Sequence, residues 1–405
     1  MTSSDRDDFT SWLNGREEQA GSSGKQEVLH PVLIEFRELI ETDPVVRVYI
    51  HQMIDQVPCM KPHCQPRLRS VEQMMRLLNA VLTRAPEFGE PTVMLPLGTV
   101  FGAARSTPAG VAVFRDPRIN AILKKILTAW CAFLGSADSL YVINDSPAGW
   151  KCPAARKELG IEQFEHIPED EHWGFTSWND FFIRRFREGE RPVAAPDDDT
   201  VIICACEAQP YRIATGVQRQ DRFWIKSQPY SLREMLADDD SVAQFVGGTV
   251  YQACLDVTYY HRWHSPVSGT VVKAFLRQGT YYSEAVSADW EAVIRPISLS
   301  YLAHLAVRTV VLIEADNPAI GLVAFVAIGI GEVSSCVIDD KVTPGHRVAK
   351  GAELGCFQFG GSTYCLVFRP GVIASFAAAA IPRRQNFDGP KALVCSELAI
   401  ANEKG

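Results

Sequence analysis

Long apolar runs are missing from this chain. Its most apolar stretches, "VVLIEA" and "GLVAFVAIGI", fall far short of the ~18 residues a membrane-spanning helix requires. An excess of basic charge is missing too. With 40 Lys and Arg against 48 Asp and Glu, the formal net charge is −8. That balance argues against nucleic acid as a partner, because phosphate binding needs a basic face, and it disfavours docking on an anionic bilayer. The opening stretch "MTSSDRDDFTSWLNGREEQAGSSGKQE" lacks the apolar centre of a signal peptide and carries too many acids for a transit peptide. A disulfide framework is also absent: eleven cysteines, an odd number, are scattered along the chain and read as reduced thiols in a cytoplasmic protein. No internal repeat and no low-complexity tract occurs.

What remains is an ordinary globular composition, 47% apolar and 22% charged. Residues 1–28 read as a disordered leader and 29–172 as a helical domain. In "PVLIEFRELIE", Leu33, Phe36 and Ile40 fall on one helical face. "SVEQMMRLLNAVLTRA" follows Ser70 as an N-cap, and "DPRINAILKKILTAWCAFLG" is bounded by Asp116-Pro117 and Gly135. Cys59, His63 and Cys64 in "CMKPHC" offer half a zinc site with no second ligand pair, so no metal is assigned. From residue 173 the texture changes. "GFTSWNDFFIRRFREGERPV" reads as a capped aromatic helix. "TVVKAFL", "RTVVLIEA", "GLVAFVAIGI", "EVSSCVI" and "YCLVF" are β-branched runs bounded by turn residues. The expected fold class is α+β: a helical N-terminal region followed by a mixed, mainly antiparallel β-rich catalytic domain over 173–405.

Two groups of residues carry chemistry. His261 and His264 stand in "TYYHRWHSPVSGTVV"; a spacing of three puts them on opposite faces of a strand unless a turn or bulge intervenes. The alternative reading is one packed and one solvated histidine. Downstream, "FQFGGSTYCLVF" places Gly360, Gly361, Ser362 and Thr363 between two strand-like runs. A neutral imidazole can accept a serine proton near pH 7, but no G-x-S-x-G elbow surrounds Ser362. The two glycines instead leave a backbone carbonyl open to close approach, including by the serine's own oxygen.

"YHRWHSPVSGTV" and "HRVAKGAELGCFQFGGST" together resemble the phosphatidylserine decarboxylase family. "WNDFFIRRFREGERPV", "FWIKSQPYSLREML" and "VVLIEADNPAIGLVAFVAIGIGEV" support the resemblance in the same order. "FRELIETDPVVRVYI" and "APEFGEP" resemble the soluble fungal branch of the family, which includes tryptophan decarboxylases. The resemblance implies self-cleavage between Gly361 and Ser362, with Ser362 becoming a pyruvoyl cofactor that holds an amine substrate as a Schiff base. It assigns His264 as the base for self-cleavage and His261 to proton transfer during decarboxylation. Glu207 in "CACEAQ" stands near where the family carries an orienting Asp, so it is the candidate for that role. Trp263, Phe357 and Phe359 are candidates for lining a substrate pocket, with core packing as the alternative. His346 reads as an exposed turn residue.

The implied substrate is a free aromatic L-amino acid, tryptophan first, giving tryptamine; a phosphatidylserine substrate giving phosphatidylethanolamine stays open. The two fragments are expected to remain associated without stable membrane insertion, and a homodimer is left open. Two rivals belong to other classes. Lys226 could serve a pyridoxal-phosphate mechanism, and the "GTVV…VAKGAELGCF" pattern also resembles a lipoyl-type carrier module, which would present a modified residue at an exposed hairpin tip.

Overall fold

The computed structural model describes residues 28–57, 68–89, 94–221, 230–284, 299–332, 335–383 and 390–403. Cys59, His63, Cys64, Lys226 and nearly all of the leader lie outside the described residues. The chain forms two compact units. One comprises residues 1–158, 166–181 and 280–298, and the other residues 159–165, 182–279 and 299–405.

The first unit is helical, and its helices begin where capping chemistry places them. Helix α1 (Pro31–Thr42) buries Val32, Leu33, Phe36 and Ile40, the three- and four-residue spacing of one helical face. Helix α2 (Pro44–Asp55) starts at Asp43, whose carboxylate accepts from the N–H groups of Val45 and Val46. Helix α3 (Val71–Leu82) starts at Ser70, whose hydroxyl accepts from Gln73 N–H at 3.1 Å. Helix α4 (Pro117–Leu134) starts at Asp116, which accepts from Arg118 N–H, and stops at Gly135. Each cap satisfies backbone donors that the first turn leaves open, worth about 1 kcal/mol apiece.

The second unit is built on a seven-stranded antiparallel sheet. In chain order the strands of this unit are β1 (Val201–Ile203), β2 (Gln209–Thr215), β3 (Thr249–Leu255), β4 (Arg262–His264), β5 (Gly269–Arg277), β6 (Arg308–Ala315) and β7 (Leu322–Gly329). They continue with β8 (Ser335–Ile338), β9 (Arg347–Val348), β10 (Glu353–Gln358), β11 (Ser362–Phe368), β12 (Ile373–Phe376) and β13 (Glu397–Ala401). The large sheet has the order β2-β3-β11-β7-β6-β5-β9, and two three-stranded sheets run β1-β13-β12 and β4-β10-β8. Tyr251, Ala253, Leu255, Phe325, Tyr364 and Leu366 on one face of the large sheet share a core with residues of both small sheets, including Trp263, Leu354, Phe357 and Leu398. On the opposite face, Gln252 donates to the Leu299 carbonyl at the start of a helix over Leu299–Leu305.

One expected element is cut short. The aromatic helix spans only Trp178–Phe182. Beyond it the backbone is drawn out: Phe186 bridges to Phe164, the Ile183 carbonyl accepts from Arg262 Nε at 2.6 Å, and Arg185 accepts from Glu165 N–H. Tertiary pairing overrides a local helical preference that is weak by comparison.

Candidate active site

The residues of the site all belong to the second unit. Strand β10 belongs to a small sheet and β11 to the large one, and the two are not partners. Phe359, Gly360 and Gly361 therefore carry the chain from one sheet to the other. Gly360 makes this crossing at φ +132°, a conformation that side chains oppose. Gly361 differs. A Cβ placed on it would meet only the Ile330 carbonyl oxygen at 3.9 Å, so its missing side chain leaves open space rather than relieving a clash.

Ser362 begins a strand paired along its whole length with β3 on one side and β7 on the other. The residue is 0% exposed, and its hydroxyl has no hydrogen-bond partner. An unpaired buried hydroxyl costs about 1–3 kcal/mol and is rare in folded proteins. Beside it, the carbonyl of Gly361 accepts a hydrogen bond from Ile330 N–H at 3.0 Å. A hydroxyl without a partner thus adjoins a carbonyl already held by a donor. An N-to-O acyl shift would draw on two such groups, a free hydroxyl and a donor at the carbonyl oxygen where negative charge develops. The Ser362 carbonyl in turn lies 3.5 Å from Cys254 Sγ. Ser362 is buried mid-sheet, where no carrier-type hairpin tip exists.

The two histidines sit differently. The His261 carbonyl accepts from Phe357 N–H, while His264 is opposite Glu353 in the β4–β10 register. His261 is therefore nearer Gly361 along the strand. Its ring is fully buried and stacks on Phe182 at 4.0 Å. Phe182 also meets Phe359 edge-on at 5.1 Å, which links this histidine to the crossing segment. Burial first, then the neighbouring Arg184 charge, lowers the His261 pKa to about 3. The ring is neutral at physiological pH, with a lone pair available.

His264 Nδ1 lies 2.7 Å from the Gly351 carbonyl and Nε2 lies 2.8 Å from the Tyr260 hydroxyl. A carbonyl can only accept, so the proton resides on Nδ1 and Nε2 accepts from Tyr260. Burial also lowers this pKa, with the Gly351 bond opposing it. No hydrogen bond joins either histidine to the Ser362 hydroxyl.

Glu207 is 1% exposed and held by cations. Arg191 grips it through two nitrogens, at 2.7 and 3.0 Å, and Lys391 Nζ contacts Oε1 at 2.7 Å. Burial is the largest influence and pushes the carboxyl up, but Arg191 and Lys391 together hold it below its ordinary range. The His264 ring is engaged by Tyr260 and Gly351, not by Glu207. Trp263 and Phe357 meet edge-on at 5.1 Å within the core. His346 is exposed. Sequence reasoning missed Ile330, whose contribution is a backbone N–H with no residue-type signature, and Phe182 and Tyr260, which were within motifs already quoted.

The buried state of His261 has a measurable consequence. Unfolded, the ring titrates near 6.5; folded, it is held near 3. Between those values the unfolded chain binds the extra proton, so stability falls as pH drops, by about 1.4 kcal/mol per pH unit from this group. Urea unfolding between pH 6 and pH 4 is expected to show this slope, reduced by about one proton in His261→Gln.

A family model described as phosphatidylserine decarboxylase matches residues 178–387, and a second one of the same description matches residues 30–159. The chain belongs to the phosphatidylserine decarboxylase family and is a carboxy-lyase. It is 40% identical over 303 residues to decarboxylase iboD of Amanita muscaria, covering 70% of this chain and 86% of that protein. It is 33% identical over 387 residues to the L-tryptophan decarboxylase of Psilocybe cubensis, covering 89% and 85%. Phosphatidylserine decarboxylase proenzyme 3 of Schizosaccharomyces pombe is 32% identical over 200 residues, covering 49% of this chain and 19% of that protein.

Proposed function

We propose that the protein cleaves itself between Gly361 and Ser362 and then decarboxylates a free aromatic L-amino acid, with tryptophan as the first candidate. The observation that carries the first half is the buried, partnerless Ser362 hydroxyl next to a Gly361 carbonyl held by Ile330 N–H. Ser362 Oγ attacks the Gly361 carbonyl carbon, and Ile330 N–H stabilises the oxyanion. Collapse breaks the peptide C–N bond and leaves an ester. Loss of the Ser362 α-proton expels the Gly361 carboxylate, and hydrolysis of the resulting dehydroalanine releases ammonia and leaves a ketone at position 362. His264 is the proposed base. Its lone pair faces Tyr260, so that hydroxyl must turn aside or relay the proton before Nε2 can receive one.

The resulting pyruvoyl group supplies a carbonyl for a substrate amine and an acceptor for the electrons released with carbon dioxide. The chain's own residues do the rest. His261, stacked on Phe182, is the proposed relay for the proton returned to the product: neutral at rest, its ring takes up a proton on the bare nitrogen as it passes one on from the other. Phe359 is a candidate to line the pocket; Trp263 and Phe357 support it from the core. Glu207, whose oxygens lie on Arg191 and Lys391, also acts electrostatically on Arg184, the charge beside His261. The 44 residues after Gly361 stay attached because β11 is clamped by β3 and β7, and β13 pairs with β1.

A free amino acid is favoured because the match to L-tryptophan decarboxylase runs through 89% of the chain, helical region included, whereas that to the phosphatidylserine enzyme covers 49%. A phosphatidylserine substrate is the second reading, supported by the family description. Among the described residues, no helix is long and apolar enough to cross a membrane. Carbon dioxide release from free L-tryptophan, L-phenylalanine and L-tyrosine, measured beside phosphatidylserine vesicles, separates the readings. The expected result is turnover of tryptophan with tryptamine formed; turnover of vesicles alone overturns the substrate assignment.

A further inference from the structure

The self-cleavage reading leaves unassigned a thiol that touches the residue on which the chemistry centres. Cys254, near the end of β3, places Sγ 3.5 Å from the carbonyl oxygen of Ser362 and 3.9 Å from that of its own neighbour Leu255. The S–H group can donate to only one of them at a time, and the Ser362 carbonyl is the nearer. Burial pushes this thiol up to about 12, so it retains its proton at any physiological pH. A second observation concerns the same residue. The Ser362 hydroxyl is fully buried without a partner, and the carbonyl before it is held by Ile330 N–H. Two successive carbonyls around the scissile bond therefore each have a donor, one from a backbone amide and one from a thiol.

These two carbonyls separate on cleavage. That of Gly361 leaves as a new C-terminal carboxylate. That of Ser362 stays bonded to the carbon that becomes the ketone, and it remains the amide carbonyl conjugated with the reacting centre. We infer that Cys254 is a catalytic residue of the decarboxylation step, donating its S–H proton in a hydrogen bond to the Ser362 carbonyl and stabilising the electron density this carbonyl takes up as carbon dioxide leaves. A thiol is a weak donor to a neutral carbonyl, but hydrogen bonds strengthen as the acceptor gains charge. The interaction is thus worth more in the transition state than in the resting protein, which is the condition for raising kcat rather than lowering KM.

The inference rests on the self-cleavage reading, and the experiment keeps the two apart. Cys254→Ala and Cys254→Ser are prepared beside the parent, and a denaturing gel first scores cleavage in each. A parent that is not cleaved removes the basis in Ser362 and counts against the earlier reading as well as this one. With cleavage present, Cys254→Ala is expected to lower kcat about fivefold with KM little changed, and Cys254→Ser, which restores a donor, to recover most of the loss. A readout independent of turnover is the infrared S–H stretch, taken as the difference between parent and Cys254→Ala. It is expected at the lower frequency of a hydrogen-bonded thiol. An unchanged kcat in Cys254→Ala, a serine variant as slow as the alanine one, or an S–H band at the free-thiol position overturns the inference.

Discussion

Ser362→Ala is expected to persist as one uncut polypeptide with no measurable decarboxylation. Removing this single oxygen deletes both the nucleophile for the acyl shift and the atom whose elimination creates the ketone, so the loss is complete rather than graded. The substitution is structurally mild. Ser362 is buried in a strand with partners on both sides, and its hydroxyl holds none of the fold's hydrogen bonds. Removing an unsatisfied buried hydroxyl is expected to leave stability unchanged or slightly raised, by ~1 kcal/mol. Urea midpoints of Ser362→Ala and the parent, measured with the gel and the carbon dioxide assay, check all three outcomes.

The opposite signature is expected at Arg191. Arg191→Met leaves the 1%-exposed carboxylate of Glu207 with Lys391 alone, and loss of one partner from a buried charged cluster costs about 3 kcal/mol. The double variant Arg191→Met with Glu207→Leu is expected to regain much of that loss, because it removes the stranded charge together with its partner. The pH dependence has a defined sign. Glu207 is held below its ordinary range when folded, so its contribution is full above the unfolded value and fades as pH falls through the folded one. Arg191→Met is expected to move that loss to higher pH. Lys391 lies after the proposed scissile bond and Glu207 before it, so on the proposed cleavage this ion pair would join the two fragments. Denaturant midpoints across pH 4–7 test these expectations.

How much of this was legible in the sequence depended on whether the signal was local. Leu33, Phe36 and Ile40 repeat at helical spacing and are all buried on one face. The β-branched runs became strands β5, β6, β7, β8 and β11. The aromatic stretch after Trp178 misled, because Phe186 and Arg185 satisfy partners on residues 164 and 165 instead of continuing a helix. The spacing of His261 and His264 could not say how far along β10 from the crossing segment each histidine would sit. That depends on their register with β10, which a distant segment sets. Glu207 was visible as an acid but not as an ion-pair centre, since Lys391 comes from the far end of the chain. The Ile330 donor could not be seen at all: every residue except proline carries the same group, and only the sheet decides where it points.

The whole account depends on the peptide bond after Gly361, and the mass of the freshly purified protein tests it most directly. The account predicts two species, the smaller comprising residues 362–405 with a blocked N-terminus that reacts with phenylhydrazine. A single intact chain of 405 residues that still releases carbon dioxide from an amino acid would contradict it.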